Sequence, residues 1–208
     1  DWGTALIGCG FSNAAFGTGG FKYAAVATAP ATGTSIALFA QEASNAATTH
    51  LQFKIDKAWG SVKFTGEIGK AWKADFTYTG MLVGIVTNAA WPTLTLDTTS
   101  AMPFMGNACT IMGKTAPANY MVLRSLSWDV ANDITLRPDV NASTGWIGAL
   151  LTGRKITGQF VMEYPANNTA NPNWDLYATL TDNLPLAINT DYVGTVNYNK
   201  FQIVSDKC

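Results

Sequence analysis

The chain has 208 residues, 48% of them hydrophobic and only 13% charged, with a net charge of −1. That length and apolar content suffice for a full core without disulfide or metal staples, and a single domain over 1–208 is expected. Lys and Arg are dispersed, which argues against a basic surface that grips a phosphate backbone, and no run of about 18 apolar residues offers a membrane-spanning helix.

The charged fraction lies well under the usual quarter, so a monomer would be short of solvated surface, and much of the exterior is expected to be covered by neighbours. Cys9, Cys109 and Cys208 are odd in number and widely spaced, without a Cys-x-x-Cys pair. Buried, reduced thiols follow from that pattern, rather than zinc or redox chemistry. The first residue is Asp, so a preceding segment is expected to have been removed or to lie outside this numbering.

In chain order, residues 2–10 read as a short helix carrying Leu6 and Ile7, stopped at Gly8 or Gly10. After a Gly-rich turn at 17–20, strands are expected over 21–28 and 35–40, separated by the breaker at 30–33. From 51 to 80 the alternation is clean. Leu51, Phe53 and Ile55 oppose Gln52, Lys54 and Asp56; Val62 and Phe64 follow; then Trp72, Ala74, Phe76 and Tyr78 oppose Lys73, Asp75 and Thr77. One packed face and one wet face mark antiparallel strands. Residues 84–118 lack a steady period and read as a crossing loop with one strand near 109–112. Leu126, Trp128 and Val130 alternate with Ser127 and Asp129, Asn132 and Asp133 suggest a turn, and Ile134 and Leu136 resume the pattern. Phe160 and Met162 share a face of the next strand. Residues 138–152 read as a loop holding Trp146, Ile147, Leu150 and Leu151 in a polar frame. The chief helix is expected at 172–181, where Asn171, Pro172 and Asp175 precede Tyr177 and Ala178. Strands over 184–189 and 194–204 complete the reading. The fold class is mainly β, a β-sandwich or flattened barrel of two antiparallel sheets with one flanking helix. Trp72, Phe76, Trp128, Phe160 and Met162 are expected to be buried.

Chemistry-bearing constellations are sparse. His50 is the sole histidine and stands in a polar stretch ahead of a strand, which removes paired-His metal sites and leaves a catalytic triad without support. Cys9 has no charged sequence neighbour to activate it. Gly8-Cys9-Gly10 lacks the third glycine of a dinucleotide loop, and Asp129 and Asp133 lack the spacing and the bidentate Glu of a calcium loop. No catalytic residue, metal or cofactor is called for.

Several short motifs recur together in an order that resembles the major tail tube proteins of tailed bacteriophages. They are Leu6, Ile7, Cys9, Gly10 and Phe11 near the start; an aromatic strand ending at Thr79-Gly80; and a strand with Asn132, an Arg137, a loop, and Gly153-Arg154 leading past Gly158 to Glu163. The resemblance implies a structural virion protein with no enzymatic role. Its hexameric rings would stack into the tube for DNA delivery, with DNA passing the lumen without specific binding. Implied partners are further copies of the chain and other tail proteins, namely a terminator, a distal tail or baseplate hub and a tape measure, on tails assembled in the host cytoplasm. Asn132, Arg137, Arg154, Gly158 and Glu163 carry over as structural or interface positions. Trp146, Ile147, Leu150 and Leu151, together with the polar 41–50 segment, are further contact candidates. Ala131 departs from the Gly common there, 138–152 is longer than in many relatives, and the chain stops at Cys208 where relatives commonly add further strands. The alternative is a carbohydrate-binding or adhesin-type sandwich, in which exposed aromatic rings stack on sugars.

Overall fold

The computed structural model describes residues 2–16, 20–26, 33–41, 50–89, 93, 104, 110–111, 114–115, 122–163, 188–189 and 203–205. The chain is mainly β, with antiparallel sheets and one short helix among these residues, consistent with a β-sandwich carrying a single helix. No closed barrel forms among them. Chain order is α1 (Trp2–Gly8), β1 (Phe11–Phe16), β2 (Gly20–Ala25), β3 (Thr34–Gln41), β4 (His50–Glu67), β5 (Lys73–Ala89), β6 (Thr110–Ile111), β7 (Lys114–Thr115), β8 (Val122–Pro138), β9 (Trp146–Glu163), β10 (Ile188–Asn189) and β11 (Val204–Ser205). The helix expected at 172–181 lies outside the described residues, as do Cys109 and Cys208. The described helix is the short N-terminal one.

β1 and β2 form a two-stranded ribbon, β11-β10-β6-β7 a four-stranded sheet, and β3-β4-β8-β9 the main sheet, with β5 also paired to β4. A strand has two edges, so β4, with three partners, must share one edge between two of them. Its length of 18 residues makes this possible, because β3 occupies only the stretch from His50 to Ala58.

Two of the expected strands, 51–56 and 62–65, are one. Within β4 the inward parity changes from odd (Leu51, Phe53, Ile55) to even (Val62, Phe64), and the cause is a bulge. Thr34 pairs with Ala58 while Ile36 pairs with Ile55, so β4 carries an extra residue there, and Lys57 takes a φ of 49°. A bulge of this kind turns a strand without ending it. The turn expected at Asn132-Asp133 is likewise absent, since β8 runs through both residues and keeps its even positions inward.

The 138–152 loop is also corrected. The connection is limited to 139–145, closed by Gly145 N–H donating to Ala142 O at 2.9 Å and Asp139 N–H to Gly145 O at 3.0 Å. Trp146, Ile147, Leu150 and Leu151 lie in β9, where β-branched and aromatic side chains fit a pleated surface. β1 and the stretch of β5 past Gly80 are further strands beyond the expectation.

The chain divides into two compact units. One comprises Asp1–Lys63, Ala74–Thr99 and Asp129–Thr157, and its core includes Leu6, Cys9, Ala58, Trp59, Val62 and Val130. The other comprises Phe64–Lys73, Ser100–Trp128 and Gly158–Cys208. There Phe64, Trp72, Phe104, Leu126 and Trp128 are buried, with Trp72 edge-on to Phe104 at 5.1 Å and stacked near Trp128 at 6.4 Å. Gly66 has to be small, because a Cβ there would lie 2.7 Å from the Trp72 ring. Trp72 and Trp128 are buried as expected, whereas Phe76, Phe160 and Met162 are half-buried.

Candidate functional site

A seven-residue helix has too few internal hydrogen bonds to stand alone, so α1 depends on what its end is tied to. Its last turn is closed by Cys9 N–H to Leu6 O at 2.9 Å and Gly10 N–H to Ile7 O at 2.9 Å, with Gly10 at a φ of 77°. That left-handed cap leaves the carbonyls of Cys9 and Gly10 facing inward without helical partners.

Asn132 and Arg154 supply those partners. Asn132 sits at an inward position of β8, and its amide nitrogen donates to Cys9 O at 2.8 Å and Gly60 O at 2.6 Å. Its amide oxygen accepts from Arg154 Nε at 2.8 Å, and its backbone N–H donates to Ser61 Oγ at 3.1 Å. Arg154, on β9, donates through Nη2 to Gly10 O at 2.9 Å and Cys9 O at 3.2 Å, and through Nη1 to Val26 O at 3.1 Å. Its guanidinium carbon lies 5.6 Å from the centroid of the Phe11 ring. The planar fork thus satisfies three carbonyls, and its charge complements the negative end of α1. Burial pulls the guanidinium down from its ordinary pKa, countered by Cys9.

Cys9 completes this node. It is fully buried, and its thiol lies 3.9 Å from Tyr78 Oη, which donates in turn to Ala5 O at 2.7 Å. Burial pushes the thiol up to about 11, against the opposing pull of the Tyr78 hydrogen bond and Arg154. A thiol held in its neutral form and out of solvent is a packing group, not a nucleophile. The Tyr78 phenol is pushed up as well, first by burial and then by Cys9. Gly60 lets Tyr78 approach, since a Cβ there would sit 2.5 Å from its ring.

The node therefore unites two stretches singled out in the sequence, 6–11 and 132–154. Among the candidates, Asn132 and Arg154 are at its centre. Trp146 and Leu150 are exposed on β9, Ile147 and Leu151 are half-buried, and Arg137 is exposed near the end of β8. Glu163 ends β9, and its side chain lies outside the described residues. Gly158 abuts Trp128, whose indole would be 3.4 Å from an added Cβ. Of the 41–50 contact candidate, only Gln41 and His50 are described. His50 is buried and is the first residue of β4 rather than a residue ahead of the strand.

Residues missed by the sequence reading are Tyr78, Gly60, Ser61 and Val26 within the node, and an apolar tract at the end of β5, where Leu82, Val83, Ile85 and Val86 are all exposed. The even parity of β8 was a usable signal for Asn132, because a polar residue in phase with Leu126, Trp128 and Val130 must find partners inside. Among the described residues no cluster of three or more His, Cys, Asp or Glu could hold a metal ion. No helix among them is long and apolar enough to cross a membrane. Comparison with protein-family models, with curated proteins and with solved structures finds no match.

Proposed function

We propose that this chain is a structural subunit of a phage-type tail tube, whose copies join into hexameric rings that stack around a channel for DNA, without catalytic duty. Further tail proteins at the two ends and within the tube complete the partner set on a virion tail. The observation that carries the reading is the node at Asn132 and Arg154. The separate motifs on which the resemblance rests bond directly to one another across 123 and 145 residues of sequence.

Two physical features support the assembly half of the reading. Among the described residues, β9 ends the order of the main sheet, an 18-residue strand bearing exposed Trp146, Leu150, Ile156 and Val161. Long apolar edges are pairing surfaces unless something covers them. The low charge of the chain suits extensive permanent interfaces better than a solvated exterior.

Negative-stain microscopy of the purified protein at high concentration tests the proposal. Rings and tubes of uniform diameter are the expected outcome, shortened or lost in a Trp146→Asp, Leu150→Asp variant. Discrete particles of single-chain size at every concentration would overturn the reading, and retention of such a monomer on immobilised polysaccharide would favour a carbohydrate-binding module instead.

A further inference from the structure

We infer that α1 and the β1–β2 ribbon form a strap that opens as one unit while β4 and β8 stay paired, with Arg154 as the bolt that holds it shut. The inference concerns a single chain and goes beyond the assembly reading.

Strap and body are fastened differently. β1 and β2 make a sheet of their own, paired from Phe11 opposite Ala25 to Phe16 opposite Gly20, whereas β4 is laddered to its neighbours in the main sheet. The closing backbone bonds at the ribbon root stay within the strap, from Cys9 N–H to Leu6 O, Gly10 N–H to Ile7 O and Val26 N–H to Gly10 O. Among the described residues from Ala5 to Val26, the ties to the body come from body side chains and end on strap carbonyls, apart from the 3.9 Å contact of the Cys9 thiol with Tyr78 Oη. Tyr78 donates to Ala5 O, Asn132 to Cys9 O, and Arg154 to the carbonyls of Cys9, Gly10 and Val26. Three side chains therefore fasten the whole segment.

Arg154 makes the fastening all-or-none. Its Nη2 holds the end of α1 and its Nη1 holds Val26, where the chain leaves the ribbon, so one guanidinium grips both ends of the ribbon and the cap of the helix. A seven-residue helix and a two-stranded ribbon are each marginal alone. Neither persists once the root is released.

Little apolar burial opposes that release. Of the strap's described large apolar side chains Leu6 is buried, joined by Cys9, while Trp2, Ile7 and Phe21 are exposed; Trp59, Val62 and Val130 of the same compact unit are all buried. Opening also strands no polar group, because the carbonyls, the Asn132 amide and the guanidinium all meet water when the strap lifts. Few buried apolar contacts and side-chain fastening place a segment at the low end of local stability. The strap is the part of this unit that can move while the sheet persists.

Cys9 reports the opening. It is fully buried when the strap is closed, and an adduct has no room where a Cβ on Gly60 would already lie 3.0 Å from its sulfur. In a Cys109→Ser, Cys208→Ser chain, labelling of Cys9 by a thiol reagent is followed in urea below the unfolding transition, alongside hydrogen exchange of residues 5–25, 50–63 and 129–137. The urea slope of an opening scales with the surface it exposes. Labelling with a slope well below that of the main transition is expected, with 5–25 exchanging ahead of 50–63 and 129–137. Arg154→Met should speed labelling about thirtyfold and leave the slope shallow. Labelling with the full slope of the main transition, or exchange of 5–25 in step with the other two segments, would overturn the separate strap. Labelling unmoved by Arg154→Met would overturn Arg154 as its bolt. The wild-type slopes decide the first point even where Arg154→Met fails to fold.

Discussion

Around Trp72 the chain is held by rings, whereas around Asn132 it is held by directed hydrogen bonds to carbonyl oxygens. The aromatic cluster of Trp72, Phe104, Trp128 and neighbouring Leu126 excludes water over a broad area and depends little on the orientation of any one group. The node at Asn132 and Arg154 does the opposite. It spends two polar side chains on the carbonyls of Cys9, Gly10, Val26 and Gly60, and each donor has a defined target. Area burial stabilises a fold without specifying which segment lies where, while a fully satisfied polar network fixes position at the risk of a large penalty if one member is lost. The contrast locates the reason for the polar node, which is to fix a short helix and the root of a ribbon that could not hold themselves.

The largest expected effect falls on the aromatic side of this contrast. Trp128→Ala removes a buried ring stacked near Trp72 and resting on Gly158, and should cost about 3–5 kcal/mol in chemical denaturation. A near-neutral result would show that the rings do not carry that region.

Next comes the node. Asn132→Ala leaves the Cys9 and Gly60 carbonyls without their amide donor and should cost about 2–3 kcal/mol. Arg154→Met should cost a similar amount, and the double variant less than the sum, with a coupling of about 1 kcal/mol. Strict additivity in that double-mutant cycle would mean that the two side chains act separately. Replacing Arg154 by Lys should rescue little, because a single ammonium cannot reproduce a fork shared among Asn132 and three carbonyls.

A smaller effect is expected from pH. The Cys9 thiol rises from 9.0 to about 11 on folding, so the unfolded chain loses this proton before the folded one does. Its contribution is fully present below pH 9.0, falls as pH rises, and levels off above about 11. Tyr78 shifts in the same direction and extends the decline. Denaturant midpoints between pH 8 and 11, with Cys9→Ala as the control, should show part of the slope removed by the substitution. An equal slope in both proteins would assign the alkaline sensitivity elsewhere. The smallest effect is expected at the exposed Glu67–Lys70 ion pair beside the β4–β5 turn, where Lys70→Ala should leave the melting temperature unchanged within error.

The two regions also differed in how far they could be read beforehand. Trp72 and Trp128 were legible because each lies on the apolar side of a period-two pattern, which reports burial directly. Phe104 was not, since it follows Pro103 in a stretch without steady period and enters the cluster through a single bridge to Ile68. In the node, Asn132 and Arg154 were marked through the family resemblance. The even parity of β8 shows that Asn132 faces inward, but nothing in the local sequence tells that its partner is the Cys9 carbonyl, 123 residues away. The bulge at Lys57 was written in the change of parity from Ile55 to Val62, but a parity change and a turn look alike until pairing partners are known. Trp146 to Leu151 were misplaced because the polar residues that frame them read as a loop, although all four lie in β9.

The central proposal is that copies of this chain associate, and the most direct measurement is mass against concentration by sedimentation velocity. The proposal predicts a shift from the 22.2 kDa chain to a hexameric ring and larger stacks as concentration rises, weakened in the Trp146→Asp, Leu150→Asp variant. A single 22.2 kDa species across the whole range would contradict it.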